Sequence, residues 1–333
     1  MNVPAHSRFA TDLEAMALAV EQAYQGFGRT APNPPVGACL IANDGRVLGL
    51  GSHRGAGQAH AERTAIDQAQ QLFGTNAARG ATLYVTLEPC NHTGRTPPCT
   101  EAIAQAGIAR VVFANKDPNP TVPGKGAEAL AARGIQMIHQ PNDAAERLLR
   151  PFRQWITRRT PWVVHKIAFR RTHENKLSMI PESQNTFARA ESLRLAHELR
   201  RQSEAILTSV PTILADLPKF TVRHTWDHDD LSFKRKIMIV SSRATGLTVE
   251  TLHTVLPVTW LSETRAAGFE VLLSPNLEHA LSTLGQLNVH QVLVEAGPRL
   301  SEHLASTRTA HENVVISVGE ERDFVLRTLA NKS

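Results

Sequence analysis

His60-Ala61-Glu62, followed after an apolar strand by Glu88-Pro89-Cys90-Asn91-His92-Thr93-Gly94-Arg95-Thr96-Pro97-Pro98-Cys99, is the stretch on which this 333-residue chain turns. One imidazole and two thiolates make three protein ligands for a zinc ion. The fourth tetrahedral position stays open, which is the catalytic rather than the structural arrangement. Glu62 stands two residues after the first ligand, where a carboxylate can carry protons without binding the metal. Two thiolates formally cancel the charge of Zn²⁺, so the site tolerates an apolar cleft. The metal brings the pKa of its water from 15.7 to about 7. A lone His or a buried thiol is usually structural. Three ligands with an adjoining Glu and Pro at this spacing make coincidence a poor explanation. Cys39, inside the apolar run Val36 to Ala42, reads instead as a core thiol.

His-x-Glu followed by Pro-Cys-x-x-Cys is the general pattern of zinc deaminases. Here eight residues, not two, separate Cys90 from Cys99. With that spacing, Thr86-Leu87-Glu88-Pro89-Cys90 and Gly94-Arg95-Thr96-Pro97-Pro98-Cys99 resemble the deaminase half of the bifunctional riboflavin-biosynthesis deaminase–reductase family. So do Asn33-Pro34-Pro35-Val36-Gly37, Gly57-Gln58-Ala59-His60-Ala61-Glu62, Asp117-Pro118-Asn119-Pro120 and Gly124-Lys125-Gly126. The resemblance implies a cytidine-deaminase-like three-layer α/β/α domain, then a dihydrofolate-reductase-like α/β domain that in the family uses NADPH. It also implies zinc-dependent deamination of 2,5-diamino-6-(5-phosphoribosylamino)pyrimidin-4(3H)-one, with Glu62 as proton carrier and ammonia released.

The substrate positions implied by the resemblance are Asn33, His53, His92, Arg95, Asp117 and Asn119. Asn33 offers donors and an acceptor to a pyrimidine edge. Arg95 presents a fork of N–H donors to phosphate. Asp117 and Asn119 suit ribose hydroxyls. Turn chemistry is the competing explanation for Asn and Asp beside Pro, and His53 is equally read as a surface His.

The second half departs from the family. Lys166-Ile167-Ala168-Phe169 keeps the start of Lys-x-Ala-x-Ser-Leu-Asp-Gly, but Arg170-Arg171-Thr172-His173 replaces the rest. Thr186-Phe187-Ala188 stands near the expected Trp-Ile-Thr. The family's Val-Gly-x-Gly-Thr becomes Thr208-Ser209-Val210-Pro211-Thr212, and Glu-Gly-Gly becomes Glu295-Ala296-Gly297. Glycines let a backbone approach a cofactor, and Pro211 has no N–H to give. Lys166, Thr212, Asp216, Arg223 and Glu295 are then remnants of a cofactor site. NADPH is not expected, and the reductase half reads as degenerate and shortened, since the chain stops at Ser333 before the family's closing strands. The enzyme alternatives are the full bifunctional protein and a deaminase recruited to another route from the same intermediate. A polynucleotide deaminase is opposed by the cysteine spacing, and a zinc-stabilised binding module by Glu62.

Composition agrees with an enzyme of two α/β domains. Hydrophobic residues at 42% and charged residues at 20% suit a globular chain with substantial cores. A net charge of +5 admits an anionic small molecule. Aromatics at 5%, none interleaved in a basic stripe, argue against a nucleic-acid partner. No apolar run is long enough to span a membrane, no secretory signal opens the chain, and three cysteines suit a reducing cytoplasm. The deaminase domain is expected over 1–150, with a connection running to Pro161, and the reductase-like domain over 160–333. A helix is predicted from Thr11, whose spacing to Glu14 fits a capping box. Strands are predicted at Val36 to Ala42, Val47 to His53, Thr82 to Leu87, Arg110 to Ala114 and Ile135 to His139. Helical stretches are predicted from Gln58, placing His60 and Glu62 in the first turn, from Cys99 to Ala106, and over Ala127 to Arg133. In the second half, strands are predicted at Trp162 to Ala168, Glu204 to Leu207, Ile237 to Val240, Glu270 to Leu273 and Gln291 to Val294. Helices are expected over Phe187 to Arg201 and Leu277 to Leu287, and His224 to Asp230 reads as a surface loop. Apolar strands in this half suggest a homodimer.

Overall fold

The computed structural model describes residues 11–93, 97–120, 125–171, 177–179, 190–228, 234–241, 248–318 and 323–330. They form two compact units, Met1–Thr157 and Arg158–Ser333.

The first unit is a five-stranded sheet between two helical layers. Its elements are α1 (Asp12–Gly26), β1 (Gly37–Ile41), β2 (Val47–Ser52), α2 (Ala61–Phe73), β3 (Thr82–Val85), α3 (Cys99–Gln105), β4 (Arg110–Phe113), α4 (Lys125–Ala132), β5 (Gln136–His139) and α5 (Asp143–Arg158). Strand order is β2-β1-β3-β4-β5. β1 is antiparallel to β2 and β3, while β3, β4 and β5 run parallel. Alternation along each strand sorts side chains to opposite layers. Leu40, Leu83, Val85 and Val111 pack with Ala65 of α2, Ile103 of α3 and Leu130 of α4. Cys39, Ile41, Tyr84 and Val112 face the other way, onto Met16 and Ala19 of α1 and Ala145 of α5. Fully buried side chains such as Ile103 and Leu130 contribute about 1.5–3 kcal/mol each. The expected capping box is present: the Glu14 N–H donates to Thr11 Oγ1 at 3.3 Å and the Thr11 N–H to Glu14 Oε2 at 3.1 Å. Gly51 lets α2 lie against β2, because a Cβ there would stand 1.9 Å from the Ala61 carbonyl oxygen.

One expectation needs correction here. His60 does not lie in the first turn of α2; it is the N-cap, with extended backbone at φ −72° and ψ 161°. The domain end expected near Arg150 falls within α5, a helix not expected from the sequence. α5 continues to Arg158 with Pro151 inside it. Leu149, Phe152 and Trp155 bury against Leu87, with Val36 and Ile156 alongside. That apolar face outweighs the hydrogen bond proline removes.

The second unit contains β6 (Trp162–Arg171), β7 (Leu177–Met179), α6 (Ala190–Arg201), β8 (Ala205–Ser209), α7 (Val210–Asp216), β9 (Lys236–Val240), α8 (Val258–Ala266), β10 (Glu270–Ser274), α9 (Leu277–Gln286), β11 (Gln291–Val294), α10 (Pro298–Thr307), β12 (Glu312–Val318) and β13 (Phe324–Leu329). The sheet order is β10-β9-β8-β11-β6-β12-β13, with β7 on β6. It is parallel from β10 to β12, and β7 and β13 are antiparallel additions. Its inner strands are buried on both faces, which is why Ile237-Met238-Ile239 and Val292-Leu293-Val294 read as unbroken apolar runs. β12 and β13 lie beyond the last strand expected from the sequence. The segment from His224 is also more than a solvated loop. Trp226 stacks on the Arg201 guanidinium at 4.2 Å, and Asp227 forks onto Arg235 at 2.5 and 2.6 Å. Thr172, His173 and Thr186 to Ala188 lie outside the described residues. Among the described residues, no helix is long and apolar enough to cross a membrane.

Candidate active site

Three elements converge on the candidate metal centre. His60 caps α2, Cys90 follows β3, and Cys99 opens α3. His60 Nδ1 lies 3.2 Å from Cys99 Sγ and 3.6 Å from Cys90 Sγ. All three ligand atoms fall within 4.8 Å of one another. Bonds of about 2.0–2.3 Å to a tetrahedral zinc require ligand–ligand edges near 3.5 Å. The trio therefore fits the ion, with Nδ1 as the histidine ligand atom. The Cys99 backbone N–H also donates to Cys90 Sγ at 3.3 Å. Thiol and imidazole donors on the same sulfur hold Cys90 down at about 4, as a thiolate.

Glu62, in the first turn of α2, is 4% exposed. Burial raises its pKa, and the Cys90 thiolate adds to the rise. Both effects suit a carboxyl that must take and return a proton near neutrality. Cys39 sits in the α1-facing layer, and burial pushes its thiol up to about 12. It has neither the place nor the charge of a ligand. Elemental analysis is expected to find one zinc per chain, unchanged in Cys39→Ser and lost in Cys99→Ser.

A cavity of about 390 Å³ opens on this centre. Asn33, His53, His92, Asp117 and Asn119 line it together with His60, Glu62 and Cys90. Arg95 lies outside the described residues. His53 is not a surface His but is 2% exposed. Its Nδ1 meets the Ala59 carbonyl at 3.1 Å, and its Nε2 meets Asn33 Nδ2 at 3.0 Å. A carbonyl only accepts, so Nδ1 carries the hydrogen and Nε2 accepts from the Asn33 amide. Burial holds His53 at about 4, so the ring stays neutral. Asn33 is thereby turned to offer Oδ1 to a ligand. Asp117 accepts the Asn119 N–H at 2.9 Å in a local turn, and burial raises its pKa.

Part of this cavity was not found from sequence. Leu87, Glu88, Phe152, Trp155 and Ile156 also line it. The available signal was the helical recurrence of Leu148, Leu149, Phe152, Trp155 and Ile156, which Pro151 interrupts.

In the second unit the remnant positions divide. Glu295 is 4% exposed and takes a fork from Arg200 at 2.8 and 2.9 Å, with Lys166 Nζ at 3.5 Å. Burial pushes Glu295 up, but Arg200 and Lys166 outweigh it and hold the carboxyl at about 2. Thr212 Oγ1 lies 2.8 Å from Ser209 Oγ and accepts the Gly297 N–H at 2.9 Å. Asp216 ends α7. The Arg223 N–H donates to His197 Nδ1 at 3.0 Å.

The chain matches the family model for the cytidine and deoxycytidylate deaminase zinc-binding region over residues 10–115, and that for the RibD C-terminal domain over 167–317. It is 37% identical to the riboflavin biosynthesis protein RibD of Aquifex aeolicus over 300 residues, 86% of this chain and 81% of that protein. Against RibD of Escherichia coli it is 34% identical over 325 residues, 90% of this chain and 85% of that protein. Among solved structures, Acinetobacter baumannii RibD (form 1) superposes with a TM-score of 0.72 at 33% identity, covering 92% of this chain and 86% of that one. A Thermotoga maritima diaminohydroxyphosphoribosylaminopyrimidine deaminase/5-amino-6-(5-phosphoribosylamino)uracil reductase superposes with a TM-score of 0.70 at 28% identity, covering 91% and 85%.

Proposed function

Because this chain belongs to the RibD family of riboflavin biosynthesis proteins, we propose that its first domain deaminates 2,5-diamino-6-(5-phosphoribosylamino)pyrimidin-4(3H)-one and that its second no longer reduces the product. The fold is that of the family: a cytidine-deaminase-like α/β/α domain followed by a dihydrofolate-reductase-like one. The chain is a zinc-dependent deaminase.

The observation that carries the substrate reading is the cavity in which Asn33, Asp117 and Asn119 surround the His60–Cys90–Cys99 trio and Glu62. Zinc on that trio supplies the Lewis acidity that makes water nucleophilic near neutral pH. Glu62 takes a proton from the attacking water and passes it to the departing amine, so ammonia leaves as the ring carbonyl forms. Asn33 Oδ1 accepts an N–H on the pyrimidine edge. Asp117 and Asn119 hold ribose hydroxyls, and Arg95 and His92 serve the phosphate end. The apolar wall of Phe152, Trp155 and Ile156 packs on the base. The partner is a small phosphorylated pyrimidine rather than a nucleic acid.

The contacts made by the remnant positions of the second unit argue against an NADPH site there. Ser209 and Thr212 bond to each other, and Thr212 consumes the Gly297 N–H. Pro211 lacks a donor, and Glu295 is committed to Arg200 and Lys166. These contacts support a domain that persists as scaffold. Incubating purified protein with the diaminopyrimidinone should release ammonia equally with and without NADPH, with no loss of NADPH absorbance and no calorimetric binding of the nucleotide. Substrate-dependent NADPH oxidation would restore the bifunctional reading, and absence of ammonia would remove the deaminase one.

A homodimer is part of the proposal. All six residues of β13 are exposed, Phe324, Val325, Leu326 and Leu329 among them. Such an apolar edge strand is suited to pair with a second copy. Sedimentation at the mass of one chain would refute it. Thiolate ligands at Cys90 and Cys99 suit a reducing cytoplasm.

A further inference from the structure

Glu88 belongs to the motif that carries Cys90, yet it is not a metal ligand and is only 6% exposed. Its contacts lie across the sheet. Its backbone N–H donates to the Asn115 carbonyl at 2.8 Å. Its side-chain Oε1 accepts the N–H of Ala127, third residue of α4, at 3.0 Å. A carboxylate at a helix start satisfies an otherwise unmatched donor and meets the positive end of the helix. The packing behind it is tight: a Cβ on Gly126 would stand 1.8 Å from the Pro89 carbonyl oxygen and 3.8 Å from Glu88 Cγ. Asn115 is tied a second time, its Nδ2 donating to the Thr86 carbonyl at 2.9 Å. The chain therefore leaves Glu88 at Asn115 and returns to Glu88 at Ala127. Asp117 and Asn119, which line the cavity, lie on the arc between.

We infer that Glu88 is a positioning residue: its backbone N–H holds Asn115 whatever the side chain, while its carboxylate ties Ala127, so that the side chain pins the far end of the stretch carrying Asp117 and Asn119 to the metal-bearing segment and sets how tightly the site holds the sugar end of its substrate. The inference rests on the deaminase reading for its kinetic consequence, but not for its geometry. A side chain that only stabilised the fold would lower the melting temperature without selecting one kinetic constant. An anchor shifts the groups that hold substrate and leaves the proton chemistry at Glu62 in place.

The test uses the full zinc-loaded chain with Glu88→Ala, Glu88→Gln, Asp117→Ala and the Glu88→Ala/Asp117→Ala double variant. Glu88→Ala should raise KM for the diaminopyrimidinone on the order of 10-fold, with kcat changed far less and zinc content unchanged. Glu88→Gln keeps an oxygen acceptor for Ala127 and should recover most of the loss. The double variant should lose less than the product of the single effects, because both act on one contact set. Hydrogen exchange over residues 115–132 should accelerate in Glu88→Ala and not in Glu88→Gln. Exchange needs no substrate, so it decides the anchor even if wild-type protein releases no ammonia and the deaminase reading falls. Unchanged exchange over that segment, an unchanged KM, or equal KM defects in the Ala and Gln variants would overturn the inference.

Discussion

Glu62→Gln should keep zinc and an unaltered KM while kcat falls on the order of 10²–10⁴-fold. The substitution is nearly isosteric and sits in the first turn of α2, beside the His60 cap. It removes no metal ligand, because His60, Cys90 and Cys99 complete the trio without it. What it removes is the ability to accept a proton and give it back. A buried amide also cannot be relieved by bulk water, since Glu62 is 4% exposed. The checks are single-turnover ammonia release at saturating substrate and elemental analysis of the same preparation. Near-normal turnover with full zinc would place the proton carrier elsewhere in the cavity. Loss of zinc along with turnover would make Glu62 a structural support of the trio.

The second large effect is expected in the second unit. Arg200→Met should destabilise the second unit by about 3–5 kcal/mol, the usual cost of leaving one member of a buried ion pair behind. Arg200 is 1% exposed and Glu295 4%. Without the fork, the carboxylate would retain Lys166 at 3.5 Å, too distant for a strong hydrogen bond. Denaturant titration of the full chain should move the second unit's transition to lower concentration. Arg200→Met/Glu295→Leu removes both charges and should recover most of the loss, because an apolar pair has no desolvation cost to offset. A cost below about 1 kcal/mol for the single variant would be that of a solvated pair. It would also free Glu295 for a ligand and weaken the case against reductase chemistry.

The amino-acid sequence by itself marked out the His60–Cys90–Cys99 trio, the carboxylate beside it and many of the strands and helices of both units, though not α5, β12 or β13. Ligand types at fixed spacing around a Pro are a local property. So is the apolar run Val36 to Ala42, which placed Cys39 in the core and off the metal, and so is the capping box at Thr11. Residue types alone also set Ser209, Pro211 and Ala296 apart from the glycine-rich pattern of the family the second half resembles.

Only the tertiary structure decided how those parts act on one another. His53 became a neutral support for Asn33 because Ala59 and Asn33 reach its two nitrogens from different segments. Phe152, Trp155 and Ile156 became a cavity wall because burial against Leu87 carries α5 through Pro151, where local propensity alone ends a helix. Glu295 found Arg200, 95 residues away, and Glu88 found Ala127, 39 residues away. Such pairings are set by strand order and helix packing, and their energy depends on exclusion of water, which no window of sequence records.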